Sequence, residues 1–357
     1  MKIGTLTFHR AQNYGGVLQS YALVKFLQMR GYDAEIVDYH CPKIEAAYKL
    51  WNTKSIKSLI ASAVFYPRNL HAKRIFEDFR KRYLTISSQS FYKAEDFTNQ
   101  YDLCIMGSDQ VWTLRLVGGF NPVFYGDFSS KIRKVGYAVS VAEIGRFSDD
   151  ERLKMSDCII NFSHFSTREE SFGKEMARLS GKEVKTVIDP SLLLSKEEYE
   201  SIIEEPEEKD YVLYYQQEFN PHTKELIVDV ARQVGAKMIV VVTGPKEDYG
   251  FPYRHYSTSN LSVNKYLGLF KNAKVIFTSS FHGTAYSLVF RKDFYFVETK
   301  APDRAKNLLR KCDAMERVVL PTDKAVFSRV DYSKIEPKLL TFRDYSIDYL
   351  INAIENK

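Results

Sequence analysis

Short apolar runs alternate with helical patterns along the chain, and this alternation constrains the fold more than any other feature. The first forty residues contain in turn a strand, a polar loop, a helix and a second strand, over residues 3–8, 9–16, 17–30 and 33–39. Gly31 follows the helical pattern, where a glycine is expected to end a helix. The same alternation returns in residues 101–188 and 211–297. Strands that alternate with helices predict parallel sheets covered on both faces by helices.

A strongly charged stretch separates two runs of this alternation. Residues 196–210 have Glu204-Glu205-Pro206-Glu207-Glu208 at their centre, a composition typical of a linker. The chain of 357 residues is also longer than one average domain. We therefore predict an α/β fold with two doubly wound domains. The first covers residues 1–200 and is joined by the C-terminal helix 344–357, and the second covers residues 206–335.

The composition excludes several classes of protein. Lys and Arg number 51 and Asp and Glu 45, so the net charge of +6 is a mild excess without the clustered basicity of a nucleic-acid-binding protein. The first apolar run reaches His9 after a few residues, too short for a signal peptide or a membrane span. Four scattered cysteines fit reduced thiols. We expect a cytoplasmic protein that binds no nucleic acid.

The sequence lacks the motifs of several enzyme classes. It contains no G-x-G-x-x-G after a strand, no P-loop, no G-x-S-x-G and no H-E-x-x-H. His, Cys and carboxylate residues also do not cluster at metal-ligand spacing. We therefore expect neither a metal nor a bound cofactor.

Polar residues follow two strands in the first half of the chain, and ligands of open α/β sheets bind at the carboxyl ends of strands. The segment Asn13-Tyr14-Gly15-Gly16 leads into a helix, whose N-terminus and glycines suit an anion. A plain turn explains this segment equally well. Asp109 directly follows a buried strand, where it is a candidate acid or base, or alternatively a helix N-cap.

Two further strand ends carry candidate residues. Arg168 offers a guanidinium suited to a carboxylate or phosphate, and the alternative is a solvated or ion-paired arginine. The segment Ser279-Ser280-Phe281-His282-Gly283 joins a strand to a helix. Two hydroxyl groups, an imidazole and a helix start suit anion binding and proton transfer. The alternative is a structural histidine.

Five blocks, taken together and in this order, resemble the polysaccharide pyruvyl transferase family. They are residues 3–8 with 13–22 (IGTLTF and NYGGVLQSYA), 107–112 (GSDQVW), 168–171 (REES), 189–194 (DPSLLL) and 280–284 (SFHGT). The resemblance implies a GT-B-like fold, with two Rossmann-like domains that face a cleft. It also implies transfer of pyruvate from phosphoenolpyruvate onto two hydroxyls of a sugar, which forms a ketal and releases phosphate.

The resemblance also implies roles for individual residues. His282 and Asp109 are the catalytic pair, with acid and base unassigned between them. Some family members carry an arginine at the position of Ser280, and Arg304 is the candidate replacement. The donor-binding residues are then Arg168, Arg304, Asn13, Tyr14, Gly15, Gly16, Ser279, Ser280 and Gly283.

The expected partners are the donor phosphoenolpyruvate and a saccharide acceptor of a cell-surface polysaccharide, free or linked to polyprenyl diphosphate. Two other functions stay open at this point. One is a GT-B glycosyltransferase that uses a nucleotide sugar, and the other is a non-catalytic saccharide-binding or assembly protein.

Residues 43–82 form an unusually basic segment. They hold ten basic and three acidic residues, so their net charge of +7 exceeds that of the whole chain. Aromatic and aliphatic residues lie between the cations, a mixture suited to a membrane surface. We predict a peripheral contact with the inner face of the membrane. The alternative is an ordinary pair of solvated helices whose apolar face packs on the first domain.

Overall fold

The computed structural model describes residues 1–51, 55–142, 144–218, 220–300, 302–324 and 326–356. The chain forms two compact units. Unit 1 comprises Met1–Tyr66, Arg80–Leu193 and Thr341–Lys357, and unit 2 comprises Pro67–Phe79 and Leu194–Leu340. Lys54, one of the cations of the basic segment, lies outside the described residues.

Unit 1 is built on a parallel sheet of seven strands in the order β3-β2-β1-β4-β5-β6-β7. The strands are β1 (Lys2–Leu6), β2 (Asp33–Tyr39), β3 (Ile86–Phe91), β4 (Leu103–Met106), β5 (Arg133–Val139), β6 (His164–Thr167) and β7 (Lys185–Thr186). The helices that begin in this part of the chain are α1 (Tyr14–Met29), α2 (Pro42–Ala47), α3 (Ile56–Tyr83), α4 (Leu114–Val117), α5 (Asp149–Cys158) and α6 (Glu170–Ser180).

Unit 2 is built on a parallel sheet of six strands in the order β10-β9-β8-β11-β12-β13. The strands are β8 (Tyr211–Tyr215), β9 (Met238–Val242), β10 (Tyr253–Tyr256), β11 (Val275–Thr278), β12 (Asp293–Val297) and β13 (Val318–Val319). The helices are α7 (Lys196–Tyr199), α8 (Thr223–Gln233), α9 (Val263–Asn272), α10 (Phe281–Val289), α11 (Asp303–Lys311) and α12 (Tyr332–Glu355), whose C-terminal part returns to unit 1.

The strand order reverses at one place in each sheet. β1 lies between β2 and β4, and β8 lies between β9 and β11. Because parallel crossovers are right-handed, the helices on the two sides of such a reversal cover opposite faces of the sheet. The predicted α/β class with two Rossmann-like units is confirmed. In such sheets ligands bind beyond the carboxyl ends of the strands at the reversal, so a binding site is expected at the segments after β1, β4, β8 and β11.

The central strands are apolar along their whole length because helices cover both faces. Every residue of β4, β8 and β11 is buried. Between β4 and β5, Trp112 lies in the core of unit 1, where its indole N–H donates to the Phe124 carbonyl at 2.9 Å and its ring stacks on Tyr125. These cores hold the strand ends in place.

The charged stretch that the sequence suggests as a linker lies inside unit 2. Burial of Glu208 would raise the pKa of its carboxyl group, but the Tyr256 hydroxyl, which donates to it, and the charges of Lys265 and Arg254 lower that pKa overall. These contacts attach the stretch to β10 and α9. The chain therefore changes from unit 1 to unit 2 just before this stretch, between Leu193 and Leu194.

Within the residues that the structure describes, no helix is both long enough and apolar enough to cross a membrane.

Candidate functional site

The loop after β1 forms the N-terminus of α1. Asn13 is the N-cap, and its Oδ1 accepts from the backbone N–H of Gly16 at 3.0 Å. Tyr14, predicted to bind the donor, is buried in the core. A Cβ atom added at Gly16 would lie 3.2 Å from Oδ2 of Asp109. The carboxylate of Asp109 therefore reaches the first turn of α1, a favourable place for a negative charge.

The turn after β4 holds Asp109 in position. Asp109 has a left-handed backbone conformation, with φ of 66°, and its carbonyl accepts from the N–H of Ser140 at 3.2 Å. Its Oδ1 accepts from the N–H of Gln110 at 2.9 Å. At Gly107, φ is 116° and a Cβ atom would lie 2.2 Å from the Tyr137 carbonyl oxygen, so only glycine fits. The nearly buried carboxylate thus has a defined orientation.

Arg168 follows β6, and its guanidinium lies within a buried set of carboxylates. The residue is only 3% exposed and donates to Asp189 at 2.7 Å and to the Ser140 hydroxyl at 2.9 Å. Its nitrogens lie 3.7 Å from Glu169 and 3.8 Å from Asp109. Burial alone would lower the pKa of Arg168, but the charges of Asp189, Glu169 and Asp109 outweigh it and raise that pKa.

Asp189 connects this arginine to the turn that carries Asp109. The Asp189 carboxylate accepts from the Ser108 hydroxyl at 2.9 Å, and from the N–H and the hydroxyl of Ser191 at 2.9 and 2.6 Å. One buried guanidinium therefore links the ends of β4, β5 and β6. We refer to Arg168, Asp189, Glu169, Asp109 and Ser140 as the arginine network.

Sequence reasoning did not identify every residue beside Asp109. Burial raises the pKa of Tyr48, and the negative charge of Asp109 raises it further, so Tyr48 lies within electrostatic range of Asp109. Tyr48 follows α2 and precedes Asp109 by sixty-one positions, with no motif around it. Asp189 lies in one of the five blocks of the family resemblance, which is the signal that could have identified it. Ser140 has no such signal.

In unit 2, His282 lies in the first turn of α10. Helix α10 begins at Phe281, and its Gly283 packs against the end of β11. A Cβ atom added at Gly283 would lie 2.1 Å from Oγ1 of Thr278. His282 is buried, with a small exposed part. The first N–H groups of a helix have no partner within it, so this is a place where an anion binds readily.

The segment after β11 is attached to the segment after β8. The Ser279 hydroxyl oxygen accepts from the N–H groups of Gln217 at 2.8 Å and Glu218 at 3.2 Å. The N–H of Ser280 donates to Oγ1 of Thr278 at 3.1 Å. The place where the strand order of unit 2 reverses, between β8 and β11, is thus lined by hydroxyl groups and backbone amides. Arg304, in the first turn of α11, is half-buried, and α11 packs against α10.

No group of three or more His, Cys, Asp or Glu side chains in the described part of the chain is arranged to hold a metal ion.

The loop that leads to Asn13 also carries a buried histidine. Nε2 of His9 lies 3.3 Å from Oδ1 of Asp38, which also accepts from Arg10 at 2.8 Å. Burial lowers the pKa of His9 and outweighs the opposing effect of Asp38. His9 is therefore held as neutral imidazole near the end of β1.

Acidification is expected to lower the free energy of unfolding through His9. Because the folded-state pKa lies below the unfolded value of about 6.5, the unfolded state binds more protons. The contribution of neutral His9 to the free energy of unfolding is therefore complete above about pH 6.5, and it is lost as the pH falls toward the folded-state pKa. We expect the melting temperature of His9→Gln to fall less than that of the parent between about pH 7.5 and 5.5. His222→Gln, at an exposed site, is the control, and an unchanged pH dependence in His9→Gln would contradict this expectation.

Comparison with known proteins gives one family and several similar folds. A family model described as polysaccharide pyruvyl transferase matches residues 13–300. The UDP-GlcNAc 2-epimerase from Neisseria meningitidis bound to UDP-GlcNAc is 11% identical with a TM-score of 0.46, covering 99% of this chain and 94% of its own. A putative UDP-N-acetylglucosamine 2-epimerase from Listeria monocytogenes is 9% identical with a TM-score of 0.47, covering 99% and 88%. The spinosyn forosaminyltransferase is 13% identical with a TM-score of 0.40, covering 99% and 95%. No curated protein sequence matches the chain.

Proposed function

Because the chain belongs to the polysaccharide pyruvyl transferase family, we propose that it transfers pyruvate from phosphoenolpyruvate onto two hydroxyls of one sugar. The acceptor is a cell-surface polysaccharide or its lipid-linked precursor. The observation that carries the proposal is that a candidate proton-transfer side chain follows a strand at the reversal of strand order in each sheet: Asp109 after β4 and His282 after β11.

The reaction sets the number of proton transfers. Two bonds form between C2 of phosphoenolpyruvate and the sugar oxygens, and the bond from C2 to the phosphate oxygen breaks. The methylene carbon gains one proton and becomes a methyl group. The two hydroxyls lose one proton each. One of these two protons balances the proton gained by the methylene carbon, and the other leaves with phosphate. An imidazole, which exchanges protons near neutral pH, and a carboxylate are sufficient for these transfers.

We assign donor binding to unit 2. Phosphoenolpyruvate carries a carboxylate and a phosphate, and helix N-termini and guanidinium groups bind such anions. The start of α10 offers Ser279, Ser280, Gly283 and the backbone amides beside His282. Some family members have an arginine at the position of Ser280. In this chain Arg304, in the first turn of the helix that packs on α10, supplies that positive charge instead.

In unit 1 we assign proton transfer with the acceptor hydroxyls to Asp109. The start of α1 and the guanidinium of Arg168 both lie against this carboxylate. The resemblance implies that Arg168 and the segment Asn13-Tyr14-Gly15-Gly16 bind the donor. In the structure the carboxylate of Asp109 lies beside these groups. We propose that they orient Asp109 and that the donor binds elsewhere.

An assay of phosphate release tests the proposed function. We expect release from phosphoenolpyruvate only when a suitable galactoside, glucoside or mannoside is present, and an acceptor whose mass increases by that of a pyruvate ketal. Turnover is expected to persist with a chelator, since carboxylate and phosphate are bound by cations and helix starts. Stabilisation by a nucleotide sugar but not by phosphoenolpyruvate would instead favour a glycosyltransferase. Saccharide binding without phosphate release would favour a non-catalytic protein.

A further inference from the structure

Helix α3 has two parts of different character, separated by Pro67. In the second part Ala72, Phe76 and Phe79 are buried, as in an ordinary amphipathic helix. In the first part, residues 56–66, which we call the apolar segment, the large side chains other than Tyr66 are exposed to solvent. They include Ile56 at 79%, Ile60 at 60% and Val64 at 67% exposed. The alternative that this apolar face packs on the first domain is therefore wrong for the apolar segment.

The exposed surface extends around the helix. Leu59 and Phe65 are also exposed, and Lys57 is the one charged residue of the apolar segment. Trp51 is exposed at 48%, and its ring lies 5.2 Å from that of Tyr66. Isolated exposed apolar residues are common on protein surfaces, but a contiguous set of this kind marks an interaction site.

The charge around the apolar segment indicates the partner. Residues 46–76 contain six Lys and Arg and no Asp or Glu, although acidic residues make up about one in eight of the whole chain. Lys49, Lys57, Arg68 and Arg74 are exposed. A second copy of the chain would bring these cations against each other, because a two-fold contact places the same patch on both sides. Apolar side chains flanked only by cations match a bilayer with anionic head groups.

We propose that the apolar segment inserts into the interface of a membrane that contains anionic lipid, with the neighbouring Lys and Arg residues on the lipid head groups. The helix lies in the plane of the interface, and its cations extend along their aliphatic stems toward the head groups. A membrane surface is also where a polyprenyl-diphosphate-linked acceptor is presented. Vesicle binding is measured without substrate, so its failure would leave the proposed reaction untouched.

Binding of the full chain to vesicles tests the proposal. We expect co-sedimentation with phosphatidylcholine vesicles that contain about 30% phosphatidylglycerol, and much weaker binding to phosphatidylcholine alone or at high salt. Trp51 is a built-in reporter, because the other tryptophan, Trp112, is fully buried. Tryptophan emission is expected to shift to the blue on binding, and Trp51→Phe is expected to remove most of the shift while the protein still sediments.

Two double variants separate the apolar and the charged contributions. Ile60→Ser/Val64→Ser and Lys57→Glu/Arg68→Glu are each expected to weaken vesicle binding by more than about tenfold. Matched controls with exposed residues elsewhere, Leu153→Ser/Leu320→Ser and Lys93→Glu/Lys246→Glu, are expected to bind like the parent.

Three results would overturn the proposal. The first is no binding to anionic vesicles at low salt. The second is binding that neither of the α3 variants weakens. The third is a dimer in solution that Ile60→Ser/Val64→Ser dissociates, together with no vesicle binding by the parent, since the apolar segment would then be covered by a second copy.

Discussion

Replacement of His282 by alanine is expected to lower kcat by about 10²- to 10⁴-fold, the usual contribution of a general acid or base. The imidazole lies in the first turn of α10, beside the hydroxyls and amides assigned to the donor. Since its loss removes proton transfer more than anion binding, KM for phosphoenolpyruvate is expected to change far less than kcat. Phosphate release under steady-state conditions measures both constants.

The fold of the variant must be checked because His282 is largely buried. His282→Gln fills more of the same space without an imidazole, so it should melt close to the parent and lose the same activity. His255→Ala, also in unit 2, removes a histidine from the penultimate position of the edge strand β10 and is expected to retain turnover. Near-parental activity of His282→Gln would remove His282 from the catalytic site.

The strands of the two sheets differ in how well the sequence predicts them. The apolar runs at residues 33–39, 164–167, 211–215 and 275–278 predict strands, and β2, β6, β8 and β11 have these bounds in the structure, because a polar residue follows each run. The edge strands β3 and β10 were not predicted. Their sequences, ISSQSF and YRHY, are largely polar, since an edge strand has fewer neighbours to pack against. The last helix also begins at Tyr332, twelve residues before the predicted start.

For the candidate site, the sequence could predict positions but not partners. Asp109 and His282 were recognised because each follows an apolar run, and the structure places each after a strand at a reversal of the strand order. The pairing of Arg168 with Asp189 spans 21 residues, and the proximity of Tyr48 to Asp109 spans many more. Such contacts depend on how strands are ordered in the sheet, which local patterns do not encode.

Replacement of Arg168 by methionine is expected to destabilise unit 1 strongly. Removing one partner of a buried ion pair leaves charge without compensation and typically costs about 3–5 kcal/mol. Here the residue is 3% exposed, and its guanidinium nitrogens lie 2.7 Å from Asp189, 3.7 Å from Glu169 and 3.8 Å from Asp109. Chemical denaturation measures the loss. Arg178→Met, which breaks the exposed pair with Glu175, is the control and should leave stability almost unchanged.

Arg168→Lys then separates the role of the charge from that of the guanidinium geometry. Lysine keeps the positive charge but cannot donate to both Asp189 and the Ser140 hydroxyl in the way that the two terminal nitrogens do. We expect an intermediate loss of stability and a lower kcat, because Asp109 loses its orientation, with KM for phosphoenolpyruvate nearly unchanged. A large rise in KM at parental stability would mean that Arg168 binds the donor directly. Parental stability of Arg168→Met would show that the arginine network does not stabilise unit 1.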